Sequence, residues 1–340
     1  MKRLMAIVML LGAMGCSNDY YALRIIQPDA SAGRICQELS GSDEQALKQR
    51  RIDYAIECAA DDGIKISAWA IKAQTPARSS QPSGGANSQP ATGANSQPAG
   101  GAPTQPAATV VLLHGMGEGK AIYLGVARRL SARGLNAVLI DLRAHGCSGG
   151  KYVTYGAKEK HDVMAVLDCL AQRGLAIGDV YAFGATLGGA AAIQYAAIDP
   201  RCKGVVAVAP YKDARSIARW IVFFHAPTMS EANFARTLAR AGQLADFDPD
   251  EASAVAAAGK FAGPMLLVHG LLDLSVPLDH SQAIYDSAGG PRKLIIVTPG
   301  PEQLALGLVW EDWLADRLAE LARGNLDGYA SPKPAAKGKP

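Results

Sequence analysis

Phe183-Gly184-Ala185-Thr186-Leu187-Gly188-Gly189-Ala190 is the segment on which the reading of this chain turns. It ends a short apolar run, Val180 to Phe183, and opens a helical stretch near Leu187, so a buried strand passes into a helix through a glycine-flanked turn. The flanking glycines are needed where strand and helix backbones pack so closely that a side chain would collide. The central residue of such a turn takes φ > 0, which a β-branched side chain adopts only under strain. Thr186 therefore has a shape poorly suited to the backbone of such a turn.

Outward from this turn, short apolar strands alternate with helices. Thr109 to His114, Ala137 to Leu142, Val205 to Ala209, Met265 to His269 and Leu294 to Val297 read as strands; Ala121 to Arg133, Lys158 to Arg173 and Val309 to Ala322 read as helices. Fully apolar strands separated by helices are the pattern of a mostly parallel sheet covered on both faces. Ahead of them, Arg51 to Ala73 alternates around Asp61-Asp62-Gly63, a hairpin. Residues 74–108 hold a stretch, Pro76 to Pro106, without Leu, Ile, Val or an aromatic, in which Gly-Ala-Asn-Ser-Gln-Pro-Ala occurs twice; this reads as a disordered insertion within one domain spanning 51–323. Residues 212–262, helical but out of step with the alternation, are expected as a cap over the strand ends. Residues 16–50 read as a lead segment and 324–340 as a disordered tail.

The chain has 340 residues, a net charge of +3 and 49% hydrophobic residues, enough for one large α/β domain. Its scattered Lys and Arg residues form no stripe, so nucleic acid is not expected as a partner. No Cys-x-x-Cys or Cys/His spacing points to a metal, and neither a dinucleotide fingerprint nor a Walker loop points to an organic cofactor.

Three further landmarks accompany the turn. His114-Gly115-Met116-Gly117 closes the first buried strand, Asp141 to Gly149 (Asp-Leu-Arg-Ala-His-Gly-Cys-Ser-Gly) follows the second, and Leu267 to Pro277 carries Asp273 after a late strand. In this order they resemble the α/β-hydrolase superfamily, serine aminopeptidases and esterases included, over most of the chain. The resemblance implies that fold: a mostly parallel sheet, helices on both faces and a helical cap. It puts Thr186 at the nucleophile position of the Gly-x-Ser-x-Gly elbow, Asp273 at the acid position, and the backbone N–H groups of Met116 and Leu187 in an oxyanion hole. Asp273 also has a plain reading as a loop-capping carboxylate. The family's base, a histidine after the last strand, is replaced: the chain reads Thr298-Pro299-Gly300-Pro301-Glu302-Gln303-Leu304, placing Gln303 there, and no histidine follows His280. Gln303 cannot take a proton near neutral pH, and Glu302 is a weak base for a hydroxyl. His225, in the cap, is either a relocated base or a structural residue.

With both the unhindered nucleophile and the base altered, the expectation is a ligand-binding pseudohydrolase that holds a small molecule, acyl chain or peptide by its carboxylate or carbonyl. The alternatives are a working esterase or peptidase using Thr186 with a relocated base, and an envelope interaction module using the insertion and the Lys-rich tail.

Residues 1–15, Lys-Arg followed by an apolar run too short to span a bilayer, resemble a lipoprotein signal ending at Cys16, which would become the lipidated residue. Ala13 departs from the Leu usual in that motif, and an ordinary signal with an incidental Cys16 is the alternative. The resemblance implies export and anchoring to a membrane, the outer membrane facing the periplasm, where disulfides persist. Cys169 and Cys202 are then either a bridge or two separate small core residues.

Overall fold

The computed structural model describes residues 18–28, 44–74, 106–298 and 301–330. Eight strands form one sheet: β1 (Tyr54–Ala59), β2 (Lys65–Ile71), β3 (Thr109–Leu113), β4 (Asn136–Ile140), β5 (Val180–Ala185), β6 (Cys202–Val208), β7 (Met265–Gly270) and β8 (Arg292–Val297). Their spatial order is β1-β2-β4-β3-β5-β6-β7-β8. The hairpin is antiparallel, β2 runs antiparallel to β4, and every later pairing is parallel. Strands β3 and β4 are wholly buried, which is why their sequences are unbroken apolar runs rather than alternating ones.

Helices α1 (Asn18–Ile26) and α2 (Glu44–Arg50) precede the sheet; α3 (Leu124–Ala132), α4 (Glu159–Gln172) and α5 (Leu187–Ala196) join its strands. Between β6 and β7 come α6 (Ala214–His225), α7 (Glu231–Ala245) and α8 (Ala254–Lys260), then α9 (Leu278–Ser287) and α10 (Pro301–Ala322). Side chains of α3 and α10 fill one face of the sheet, including Val126, Leu130, Leu314 and Leu318, and those of α4 and α5 fill the other. Asp213, Ser230 and Ser253 cap α6, α7 and α8, each accepting a hydrogen bond from the N–H three residues on.

Four features differ from the sequence expectations. The 16–50 segment is no mere lead: Ala22, Ile25 and Ile26 of α1 are buried against α6 and α7, Asp19 pairs with Arg240 at 2.6 Å, and the Ile26 carbonyl accepts from Val153 N–H at 2.9 Å. Only α6 and α7 stand apart as a cap; α8 packs between α5 and α9 because Ala254, Ala257 and Ala258 present a buried small-residue face. The closing helix begins at Pro301 rather than Val309, with proline at its first position, where no amide N–H is required. The start of the tail is ordered too: Ala330 exchanges backbone hydrogen bonds with Arg292 of β8, and Leu326 and Tyr329 pack on the α10 side of the core. Most of the 74–108 insertion, and residues 331–340, lie outside the described residues.

Candidate functional site

The turn around Thr186 is a strained elbow. Thr186 has φ 45° and ψ −105° and stands between β5 and α5, with its N–H donating to the Val208 carbonyl at 2.9 Å. The glycines around it have measurable reasons. A Cβ on Gly184 would lie 2.2 Å from the Gly188 carbonyl, and one on Gly188 would lie 2.2 Å from the Leu113 carbonyl oxygen. Strand, elbow helix and neighbouring strand can approach this closely only with hydrogen atoms at those positions. Thr186 keeps its place despite a methyl branch that a serine would not carry.

Next to it, the loop after β3 folds into a tight turn, with Gly117 at φ 77°. Two histidines hold this loop from below. His114 donates through Nδ1 to the Gly115 carbonyl at 2.7 Å and accepts at Nε2 from Leu142 N–H at 3.0 Å. His145 donates through Nδ1 to the Arg143 carbonyl and accepts at Nε2 from Gly117 N–H, both at 3.0 Å. The two rings meet edge-on with centroids 5.0 Å apart. Burial, and for His114 the neighbouring His145, holds both below the ordinary imidazole range, His114 at about 4. Both rings are therefore neutral near pH 7, and both of their nitrogens are committed.

Backbone N–H groups of Met116 and Leu187 have no hydrogen-bond partner among the described residues, which leaves the pair assigned to an oxyanion hole able to receive a ligand oxygen. The residue that sequence reasoning missed is Glu118. Its carboxylate accepts from Gly115 N–H at 2.7 Å. The Thr186 hydroxyl oxygen and the Glu118 Oε2 lie 2.8 and 3.0 Å from the one point where a Gly115 Cβ would stand. A single water can bridge such a gap. The only advance signal was a carboxylate three residues after the first glycine of the loop.

Beneath this loop the second landmark forms an ionic floor. Lys120 Nζ pairs with Asp141, donates to Ser67 Oγ at 2.9 Å and sits 4.8 Å from the Trp69 ring centroid, while Asp141 also accepts from Lys120 N–H and Cys147 N–H. Arg143 grips Asp162 of α4 through two hydrogen bonds, 2.8 and 2.6 Å, and reaches Asp62 of the hairpin turn at 2.9 Å. Burial outweighs the guanidinium at Asp162 and raises its carboxyl to about 6.

Asp273 follows β7 in the expected loop, and its Oδ1 accepts from Ser275 N–H at 2.7 Å and Val276 N–H at 2.9 Å, the capping role. Its Oδ2 is 3.9 Å from His269 Nε2, but that ring is fully buried and already bonded to the Val276 carbonyl and Ser281 Oγ. Of the expected base position, the backbone of Gln303 lies in the first turn of α10; its side chain, like that of Glu302, is outside the described residues. His225 is exposed at the end of α6. His280 accepts at Nδ1 from Lys212 N–H and is structural.

The bridge between Cys169 and Cys202 is absent: both thiols are free. Cys202 faces the core and contacts the Gly204 carbonyl at 3.6 Å, while Cys169 neighbours Cys58, whose thiol is pushed well up by burial and by that neighbour. Cys147 is disulfide-bonded, and Cys16 lies outside the described residues.

Comparison with known proteins agrees with this geometry. A family model described as serine aminopeptidase, S33, matches residues 104–251. The uncharacterized protein YqkD of Bacillus subtilis (strain 168) is 26% identical over 206 residues, 58% of this chain and 65% of its own length, so the chain spans just under two thirds of that relative. Among solved structures, the esterase Pf2001 of Pyrococcus furiosus is 20% identical with a TM-score of 0.57, covering 82% of this chain and 94% of its own. Est1E of Butyrivibrio proteoclasticus, solved with ferulic acid bound, is 17% identical with a TM-score of 0.52 over 78% of this chain and all of its own. A 2,6-dihydroxy-pseudo-oxynicotine hydrolase is 15% identical with a TM-score of 0.55, over 85% of this chain and 73% of its own. Strand order, elbow and these likenesses converge on the fold: the chain has the α/β-hydrolase fold, and residues 104–251 are similar to the serine aminopeptidase family.

Proposed function

We propose that this chain is an exported, lipid-anchored protein that uses an α/β-hydrolase scaffold to bind an acyl-bearing small molecule or peptide, and that it does not turn that ligand over as a serine hydrolase does. One observation carries the reading: among the described residues no imidazole hydrogen-bonds the Thr186 hydroxyl, and His114 and His145, beside the neighbouring loop, have both ring nitrogens engaged in holding that loop and its surroundings. Without a base the hydroxyl keeps its proton, and what remains of the old machinery is a pair of N–H donors.

Glu118 narrows the ligand chemistry. A carboxylate fixed beside Thr186 repels a second negative charge, so the Met116 and Leu187 N–H groups favour a neutral carbonyl, that of an ester or amide, over a carboxylate. The esterases among the structural relatives support an acyl-type ligand. The disulfide at Cys147 supports an oxidising compartment, in keeping with export, anchoring at Cys16 and a position at the outer membrane facing the periplasm.

The rival reading, a threonine-dependent ester or peptide hydrolase, has Glu118 as a candidate base among the described residues, acting through a bridging water. A fluorophosphonate probe separates the two. No covalent labelling of the native protein is expected; labelling that disappears in Thr186→Ala establishes the hydrolase and overturns the binding reading.

A further inference from the structure

Several large apolar side chains are exposed at one end of the molecule. Met116 follows β3, Phe223 and Phe224 lie in α6 after β6, and Leu271, Leu272 and Leu274 follow β7. The loops and helix that carry them follow the C-terminal ends of parallel strands, the end at which the Thr186 elbow stands. Phe224 is 63% exposed, Leu272 69% and Leu274 79%. They are organised rather than scattered: Trp220 donates from Nε1 to the Leu274 carbonyl at 3.1 Å, stacks on Phe223 at 6.0 Å and meets Phe224 edge-on at 5.3 Å. A contiguous patch of this kind marks a surface made to be covered.

What covers it is indicated by where the chain is tied. Helix α1 is docked on the cap, with Asp19 held by Arg240 in the second half of α7. At the other end of α7, Glu231 and Phe234 meet Arg219, the neighbour of Trp220. Cys16 is two residues ahead of Asn18, so a lipid on it is attached within about 7 Å of the start of α1, the helix docked on the cap. We infer that the apolar rim of Trp220, Phe223, Phe224 and Leu271 to Leu274 rests in the surface of the phospholipid bilayer that holds the anchor, so that the cap lies against the membrane. Trp and Phe suit this position because a ring can sit among acyl chains while an indole N–H keeps a partner, here the Leu274 carbonyl. This inference rests on the anchored reading given above.

The test uses the full chain, purified from membranes and reconstituted into phosphatidylethanolamine/phosphatidylglycerol vesicles with brominated acyl chains, which quench tryptophans that touch them. The emission that Trp220→Phe removes is expected to be quenched several-fold, and a Leu272→Ser/Leu274→Ser variant, altered only at exposed positions and checked for an unchanged melting temperature, is expected to lose most of that quenching. Protein that floats with the vesicles while its Trp220 emission stays unquenched overturns the inference and leaves the anchor standing. Quenching that survives in Cys16→Ala supports the rim and removes the anchor. No association in either protein overturns both, and rim substitutions that abolish an oligomer without changing quenching assign the patch to a second copy of this chain instead.

Discussion

Replacing Glu118 by glutamine removes one negative charge while leaving an oxygen to accept from Gly115 N–H, so the loop keeps its shape and the electrostatics change alone. The Thr186 hydroxyl and the Glu118 carboxylate both lie within 3.0 Å of one point, which puts them no more than about 6 Å apart. A ligand carboxylate held by the Met116 and Leu187 N–H groups sits beside that hydroxyl, and at this distance two unit charges repel by about 3 kcal/mol at an effective dielectric of about 20. Glu118 is only half-buried, and screening brings the figure to about 1–2 kcal/mol, or about five- to thirty-fold in a binding constant. Calorimetric titration with hexanamide and hexanoate measures it directly. The native protein is expected to prefer the amide, and Glu118→Gln to shrink that preference by the stated factor through tighter binding of the carboxylate. An unchanged ratio of the two affinities would refute the placement of Glu118 at the ligand's polar end.

Gly188→Ala drives a methyl group to 2.2 Å from the Leu113 carbonyl oxygen; the clash is expected to outweigh the roughly 1 kcal/mol gained in helix propensity and leave a net loss of about 2 kcal/mol or more. Gly189→Ala, whose nearest neighbour would be at 3.0 Å, serves as the milder comparison, and equal melting temperatures for the two would contradict the packing described. Acid should weaken the fold through His114 and His145. Their native pKa values lie below those of the unfolded chain, His114 at about 4, so the stability they allow is complete above the ordinary imidazole value and is lost as the pH falls towards 4. Asp162, raised to about 6, acts in the opposite direction by holding a proton that the unfolded chain releases. His145→Gln, which still offers an acceptor to Gly117 N–H, is expected to flatten the drop in urea midpoint between pH 7 and pH 5; identical drops in variant and native protein would count against a neutral, buried His145.

The elbow was legible because its glycines are demanded by backbone contacts, and contacts between backbones leave an unambiguous mark in sequence. The parallel strands were legible for a related reason: burial on both faces permits only apolar runs such as Thr109 to Leu113. Helix α1 also carried a signal, since Ala22, Ile25 and Ile26 fall at helical spacing, but the nearby signal-like tract and polar surroundings drew the segment towards a mere lead. Glu118 was not legible. A carboxylate in a glycine-rich loop looks solvated until the loop is seen to curl back on its own amide. The cysteines left a bridge and two separate thiols both open for a similar reason: Cys169 and Cys202 stand at plausible positions along the chain, but α4 turns Cys169 towards Cys58 on β1, and one turn of helix decides which neighbour a thiol meets.

The grip of Arg143 on both Asp162 and Asp62 ties the hairpin to the later part of the domain, and it is joined by Lys120 to Ser67, by Ser67 N–H to Ser148, and by the β2–β4 ladder. These links cross the gap in sequence between Ile71 and Thr109 without depending on the peptide chain that spans it. A molecule nicked by a protease there should therefore stay in one piece and melt as one unit, and the hairpin supplied as a separate polypeptide should find its place beside β4, much as complementing fragments reassemble.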